Sequence, residues 1–166
     1  MDFEEILTII KTSFPSDMIL EEHKDGLMPY VIMPKDSIVT ICDFLYRNES
    51  TYFDYLACIT GVDLGPEVNK MEVIYNLYSI PFNTKFCIKT VLDRNTSTNY
   101  LPEIESVSHI WKTADWHERE IFDLLGIQFK NHPDLRRILL PADWEGFPLR
   151  KDYSTQEYYH QVKVDY

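Results

Sequence analysis

The sequence predicts an α+β fold, with a mixed or antiparallel sheet flanked by helices and followed by an extended C-terminal arm. Residues 71–80 and 85–93 are rich in β-branched and aromatic side chains and are separated by the turn-forming sequence PFNT. Residues 2–14 carry apolar side chains at helical spacing. In the last part of the chain three prolines interrupt the sequence and no regular period remains. We therefore divide the chain into a domain, residues 1–129, and an arm, residues 130–166.

The composition indicates one globular domain. Of the 166 residues, 45% are hydrophobic and 14% aromatic, which is too many for a disordered chain. The formal net charge of −11 would repel a phosphate backbone, so nucleic acid is not expected as a partner. The acidic start MDFEE lacks the basic region of a signal peptide, and no apolar run approaches the length needed to cross a bilayer. We therefore expect a chain that is soluble or that sits on a membrane only through other proteins.

The first half of the chain contains two predicted helices. Residues 2–14 form the first, and Asp2 and Glu5 have the spacing of a capping box at its start. A strand is predicted over residues 30–33, and a second helix follows Pro34. The apolar residues that define this second helix are Ile38, Ile41, Cys42 and Leu45.

The second half begins with β-structure. Residues 52–64 are predicted as a strand or a strand and turn, and the two runs around PFNT as an antiparallel hairpin. Residues 102–111 have the spacing of a helix that begins with a proline. Another helix follows, with Asp115 as N-cap, Glu118 three residues later and Gly126 as the stop.

No motif in the sequence predicts a bound cofactor. Cys42, Cys58 and Cys87 are far apart and lie in apolar surroundings, so buried free thiols in a reducing cytoplasm are expected. Without a C-x-x-C motif the chain cannot supply the four thiolates of an iron–sulfur cluster. With only five glycines it also lacks a phosphate loop and a dinucleotide fingerprint. We expect the chain to bind neither metal nor cofactor.

The sequence HEREIFD, residues 117–123, has two catalytic interpretations. A zinc protease helix needs a second histidine four residues after the first, but the residue four after His117 is Ile121, and His132 lies beyond the helix. A hydrolase using Glu118, Glu120 and Asp123 is the alternative, although acids one turn apart usually form a solvated face. Both interpretations lack supporting motifs elsewhere.

A third interpretation of this helix is a surface for a partner protein. Arg119 lies four residues from both Asp115 and Asp123, so one guanidinium can serve two carboxylates. Exposed pairs of this kind stabilise a fold by less than about 1 kcal/mol each. Such a dense cluster is better explained by pairs that set the register of an interface.

The arm also indicates a partner. It has too many apolar residues for a solvated linker and too many prolines for a regular element, so it must lie extended on its own domain or on another protein. Residues 130–152 carry a net charge of +1, which leaves −12 for the rest of the chain. The arm is thus the part without the acidic bias.

Three segments of the chain resemble those of a known family. The first begins with ERE at residues 118–120 and continues through Asp123, His132 and Arg136 in the spacing of a family signature. The second, WEGFPLRKDY at residues 144–153, resembles a second hallmark, and YLACITGVDL upstream resembles a less distinctive strand and turn. The family that these segments resemble is the thirty-kilodalton subunit of respiratory complex I, which is the C subunit of bacterial NADH:quinone oxidoreductase.

This resemblance implies a non-catalytic subunit of the hydrophilic arm of a proton-translocating NADH:quinone oxidoreductase. It implies docking on the quinone-site subunit of the forty-nine-kilodalton type and on neighbouring iron–sulfur subunits, at the cytoplasmic side of the inner membrane. NAD, FMN, iron–sulfur clusters and quinone would be bound by other subunits. The residues expected at the partner interface are Glu118, Arg119, Glu120, Asp123, His132, Arg136, Arg137, Trp144, Arg150, Lys151 and Asp152.

The sequence departs from the family at two positions in or next to the second hallmark. Phe147 stands where many members have His, and Ser154 stands where many have Pro. Homologous subunits occur in photosynthetic NDH complexes and in hydrogenase-type complexes, and these are the alternatives within the family. The ending EYYHQVKVDY is more similar to the bacterial NADH-type subunits.

Overall fold

The computed structural model describes residues 1–94 and 101–164, and in this part of the chain it contains three α-helices and nine strands. The α+β class predicted from the sequence is confirmed. The helices are α1 (Phe3–Ser13), α2 (Ile38–Arg47) and α3 (Ala114–Leu125). The strands are β1 (Glu21–His23), β2 (Tyr30–Ile32), β3 (Tyr55–Asp63), β4 (Lys70–Ser79), β5 (Thr84–Asp93), β6 (Glu103–Glu105), β7 (Gln128–Lys130), β8 (Tyr158–Tyr159) and β9 (Val162–Lys163).

The main sheet has five strands in the order β1-β2-β5-β4-β3. The predicted hairpin is present as β4 and β5, which pair antiparallel along their whole length. Asn83 closes its turn with a φ of 49°, a left-handed conformation that asparagine tolerates. The pairing of β2 with β5 is parallel, so the sheet is mixed. Two shorter sheets, β6 with β7 and β8 with β9, lie outside it.

The helices pack on one face of the main sheet and form the core there. Phe3 of α1 contacts Phe86 of β5, with ring centroids 5.5 Å apart. The predicted capping box starts this helix: the backbone N–H of Glu5 donates to Asp2, and the Glu5 carboxylate accepts from the Asp2 N–H. Helix α3 packs on β3 at Gly61, where an added Cβ would lie 2.6 Å from Leu125 Cδ1. A glycine is required for so close an approach.

Two predicted elements differ from the structure. Residues 102–111 do not form a helix but contribute β6 and a following turn. The backbone of this segment pairs with β7, and the Ser106 hydroxyl and the Val107 N–H donate to Glu118 of α3, so distant partners outweigh the helical spacing. Helix α3 begins after Thr113, earlier than a cap at Asp115 requires. Of the cysteines, Cys42 and Cys87 are buried as expected, whereas Cys58 is half-buried.

The arm folds back on the domain rather than extending from it. Leu149 donates its backbone N–H to the carbonyl of Leu124 in α3, at 3.0 Å. Near its end the arm forms the small hairpin of β8 and β9. The last two residues of the arm as predicted, 165 and 166, lie outside the described residues.

Candidate functional site

Glu118 is a deeply buried charged group of α3, with none of its surface exposed. Its Oε1 accepts the backbone N–H of Val107 at 2.8 Å, and its Oε2 accepts the hydroxyl of Ser106 at 2.6 Å. Burial raises the pKa of Glu118 to about 7, although these two hydrogen bonds act in the opposite direction and the charge of Asp115 adds to the rise. Glu118 therefore ties the segment after β6 to α3.

His132 fixes the start of the arm over the same helix. Its ring is fully buried and lies 3.9 Å from the Glu118 carboxylate. The backbone N–H of Asp134 donates to Nδ1 at 3.0 Å, so Nε2 carries the proton and donates to the carbonyl of Asp115 at 3.2 Å. The imidazole thus has a structural hydrogen-bond partner on each nitrogen.

Asp123 holds the next part of the arm. Its Oδ2 accepts three consecutive backbone N–H groups, those of residues 138, 139 and 140, at 2.7 to 3.0 Å. Its Oδ1 accepts from Arg137 Nη1 at 2.8 Å. Burial alone would raise the pKa of Asp123, but these backbone donors and Arg137 together lower it below the ordinary value. The carboxylate is therefore held ionised inside the chain.

Two arginines and a phenylalanine attach the second hallmark to the C-terminal end of α3. Arg137 donates to the carbonyls of Trp144 and Gly146, at 3.1 and 2.9 Å. Arg150 donates to the carbonyl of Leu125 at 2.7 Å, where a helix end leaves carbonyls unpaired. Both guanidinium groups lie near the ring of Phe147, with centroid distances of 5.2 and 4.7 Å. This arrangement fixes residues 137–150 against the helix.

A buried ion cluster that the sequence analysis missed fixes the next part of the arm. Arg94, which is fully buried, donates from Nε to Asp63 Oδ1 at 2.7 Å and also bonds to Asp152. Asp63 further accepts the backbone N–H of Lys151 at 2.8 Å. Burial would raise the pKa of Asp63, but Arg94 and the backbone donors lower it below the ordinary value. The available signal was a charged residue at the end of each of two predicted strands, Asp63 in the first and Arg94 directly after the second.

The predicted pairing of Arg119 with Asp115 and Asp123 is wrong. Arg119 instead donates to the backbone carbonyl of Arg136 at 3.2 Å and lies over the ring of Trp116, 5.2 Å from its centroid. Asp123 is paired with Arg137 as described above. Asp123 is unavailable to Arg119 because its buried oxygens already accept from Arg137 and from three backbone N–H groups.

The predicted interface residues therefore fall into two groups. Glu118 and Asp123 are fully buried and bonded within the chain, so their carboxylates do not reach a partner surface. The ring of His132 is buried with them. Arg136 is 75% exposed and Asp152 is 47% exposed. Those that reach the surface wholly or in part are Arg119, Glu120, Arg136, Arg137, Trp144, Arg150, Lys151 and Asp152.

The geometry contradicts the hydrolase interpretation. Glu118 and Asp123 are fully buried and hydrogen-bonded within the chain, whereas Glu120 is exposed. The three acids therefore do not line a common cleft. Across residues 1–94 and 101–164, no group of three or more His, Cys, Asp or Glu side chains is arranged to hold a metal ion. Within the same ranges, no helix has both the length and the hydrophobicity to span a membrane.

Comparisons with known proteins agree on one family. Residues 31–159 match the family described as respiratory-chain NADH dehydrogenase, 30 Kd subunit. The C subunit of the NADH-quinone oxidoreductase of Chloroherpeton thalassium is 42% identical over 160 residues, and the match covers 95% of this chain and 63% of the relative. For the C subunit of the Chlorobium phaeobacteroides enzyme the identity is 43%, and the match covers 95% of this chain and 92% of the relative.

A solved structure is also similar. It is the structure of the membrane-bound sulfane sulfur reductase, an archaeal respiratory membrane complex. One of its chains superposes with a TM-score of 0.71 at 25% sequence identity. The superposition covers 91% of this chain and 85% of that chain.

Proposed function

Because the chain belongs to the thirty-kilodalton subunit family of respiratory-chain NADH dehydrogenase, we propose that it is a non-catalytic docking subunit of a proton-translocating NADH:quinone oxidoreductase. In this role it holds subunits of the hydrophilic arm in place. Its own side chains carry out no step of electron transfer.

The observation that carries the proposal is the surface formed where the arm lies on α3. The buried carboxylates hold the arm in one place, and large apolar side chains are left in solvent. Trp116 is 64% exposed, Leu139 62% and Leu149 60%. Exposed apolar side chains mark an interaction site where they form a contiguous patch, and tryptophan is enriched among the residues that dominate binding energy.

The proposed partners are the quinone-site subunit of the forty-nine-kilodalton type and neighbouring iron–sulfur subunits. The proposed location is the cytoplasmic side of the inner membrane, reached through these partners. NAD, FMN, iron–sulfur clusters and quinone then belong to other subunits. The dispersed cysteines support this assignment, because an iron–sulfur cluster needs several thiolates in one place.

The eleven residues predicted for the interface have two roles in this proposal. Surface side chains, among them Glu120, Arg136 and Lys151, contact the partner directly. Buried ones, among them Glu118 and Asp123, act indirectly by holding the arm in the shape that the partner binds. Loss of a group of the first kind should weaken assembly without changing the stability of the free chain.

Deletion and complementation in the source cell test the proposal. Membranes from a strain that lacks the chain should lose NADH:quinone activity, and the wild-type chain should restore it. The isolated chain should have no NADH oxidation activity. Full activity in the deletion strain, with no other copy of the subunit present, would exclude the proposed role.

A second candidate within the family is supported by the similarity to the archaeal sulfane sulfur reductase complex. In that case the complex would reduce a sulfane sulfur compound in place of a quinone. The same membranes discriminate the candidates, because NADH:quinone activity would then be unchanged by the deletion while sulfane sulfur reduction would be lost.

A further inference from the structure

Strand β3 has one unpaired edge, because it is the last strand of the main sheet. On its other side it pairs with β4, where the N–H of Leu64 donates to the carbonyl of Lys70 at 3.1 Å. Backbone groups of an antiparallel strand point alternately to its two sides. Counting back from Leu64, the N–H and C=O groups of Ile59 and Gly61 therefore point to the open edge.

These backbone groups lack partners among the described residues. Within the part of the chain that the structure describes, no hydrogen bond reaches the N–H or C=O of Ile59 or Gly61 from the open side. Natural edge strands are usually protected by Lys, Pro or a bulge. β3 contains neither Lys nor Pro, and its bulge between Leu56 and Cys58 leaves the following residues regular.

A groove of about 300 Å³ lies between this edge and α3. Its floor and walls contain apolar groups, and the exposed side chain of Leu149 contributes from the arm. Glu120 also lines the groove and makes no ion pair with any described residue. The residues contributed by the strand and helix include Cys58, Thr60, Gly61, His117 and Leu124.

We propose that this groove binds an extended segment of a neighbouring subunit, which pairs with β3 and adds a sixth strand to the sheet. The inference rests on the proposed function, since it specifies how the docking subunit holds one of its partners. The segment would be apolar at alternate positions, with a Lys or Arg side chain placed on Glu120. Main-chain hydrogen bonds would supply affinity, and the groove against α3 would select side chains.

Charge favours a different protein over a second copy of this chain. Antiparallel pairing of two β3 strands would place both α3 helices on the same face of the joined sheet. The two Glu120 carboxylates would then approach the shared edge, and each copy carries a net charge of −11. Like charges at an interface oppose association. A basic segment of another subunit would instead be attracted to Glu120 and to the negative net charge of this chain.

Amide hydrogen exchange with single-residue resolution tests the pairing, in the free full-length chain and in the complex purified from membranes. In the free chain, Ile59 and Gly61 should exchange rapidly, whereas Thr60 and Val62, which point to β4, should be protected. In the complex, exchange at Ile59 and Gly61 should slow by at least about 100-fold.

Each other result overturns the inference in a distinguishable way. If the chain assembles but Ile59 and Gly61 exchange as in the free chain, the pairing is wrong and the proposed function stands. If their protection appears in the free chain and increases with concentration, the occupant is a second copy. If the chain is absent from membrane complexes, the proposed function itself has failed.

A charge reversal tests the chemistry of the segment. Glu120→Lys should reduce incorporation into the complex at least about tenfold, because it places a cation against the proposed Lys or Arg. Glu67→Lys makes the same charge change on an exposed loop and serves as the matched control. Both free chains should melt at the wild-type temperature. Equal incorporation of the two variants would exclude a basic side chain at this position.

Discussion

At the scale of single residues, the family signature contains carboxylates that bind the chain's own backbone. Asp123 accepts three consecutive N–H groups, and Glu118 accepts one N–H and one hydroxyl. Sequence patterns indicated that these positions matter but assigned Asp123 to a local ion pair with Arg119. The true cation, Arg137, lies 14 residues from Asp123. Spacing rules for a helix surface do not reach so far along the chain.

The variant Asp123→Asn tests the first of these carboxylates. The amide keeps one acceptor but places an N–H₂ group against backbone donors and removes the charge that Arg137 faces. We expect the free energy of unfolding to fall by about 3 kcal/mol, as for a broken buried ion pair. Urea denaturation measures this value. Asp134→Asn removes a charge from the exposed ion pair of Asp134 with Arg136 and should leave the free energy of unfolding almost unchanged. Equal effects of the two variants would contradict the role given to Asp123.

The variant Glu118→Gln tests the second carboxylate through pH. In the folded chain the pKa of Glu118 is raised from 4.5 to about 7, so between these values the folded state binds more protons than the unfolded state. Its contribution to stability is therefore complete below about pH 4.5 and is lost as pH rises through about 7. Between these pH values the contribution of Glu118 to the free energy of unfolding changes by about 3 kcal/mol at most.

Thermal unfolding from pH 5 to pH 8 measures the effect. The wild type should lose stability relative to Glu118→Gln as pH rises, because glutamine does not titrate. The variant Glu120→Gln, on the exposed face of the same helix, should follow the wild type. Parallel curves for the wild type and Glu118→Gln would show that the buried carboxyl does not titrate in this range.

At the scale of elements, the sequence was most informative where the signals are local. The hairpin of β4 and β5, the capping box of α1 and the end of α3 at Gly126 were all predicted, since each depends on neighbouring residues. The predicted helix over residues 102–111 was wrong because its apolar spacing also suits a short strand and turn. Pairing with β7 and the bonds to Glu118 decide between them, and both are long-range.

The variant Gly126→Ala tests how the arm is joined to α3. Gly126 ends the helix with a φ of 69°, and an added Cβ would lie 2.5 Å from the ring of Phe147. We expect a loss of about 2 kcal/mol, from backbone strain and overpacking together. Gly26→Ala adds a Cβ at another positive φ, 116°, with no atom within 4 Å of it, so its loss contains backbone strain without overpacking. In a chain that carries Phe147→Ala, the loss caused by Gly126→Ala should be smaller, and an undiminished loss would show that Phe147 does not pack on the helix end as described.

At the scale of the whole molecule, the arm is part of the domain as far as its second hallmark. Arg150 bonds to the end of α3, and Asp152 bonds to the fully buried Arg94. The remaining hairpin of β8 and β9 contacts the arm itself, through Tyr159 against Trp144. The composition of the arm allowed either its own domain or a partner as support. In the structure the arm packs on its own domain as far as Asp152.

Two truncations test this division. A chain that ends at Pro141 loses Asp152 and leaves Arg94 and Asp63 partly unpaired in the interior, so its free energy of unfolding should fall by about 3 kcal/mol or more. A chain that ends at Ser154 keeps these contacts and should unfold at nearly the wild-type urea concentration. Equal stability of the two chains would mean that residues 142–154 do not belong to the folded unit.

The central claim is that this domain and its folded arm dock on other subunits of a membrane-bound NADH:quinone oxidoreductase. Purification of the tagged full-length chain from detergent-solubilised membranes, with quantitative mass spectrometry of the subunits that accompany it, tests this claim most directly. We expect the quinone-site subunit of the forty-nine-kilodalton type and the neighbouring iron–sulfur subunits in equal amounts with the chain, and NADH:quinone activity in the same fraction. Recovery of the chain alone, or with partners that carry no quinone-reducing activity, would contradict the claim.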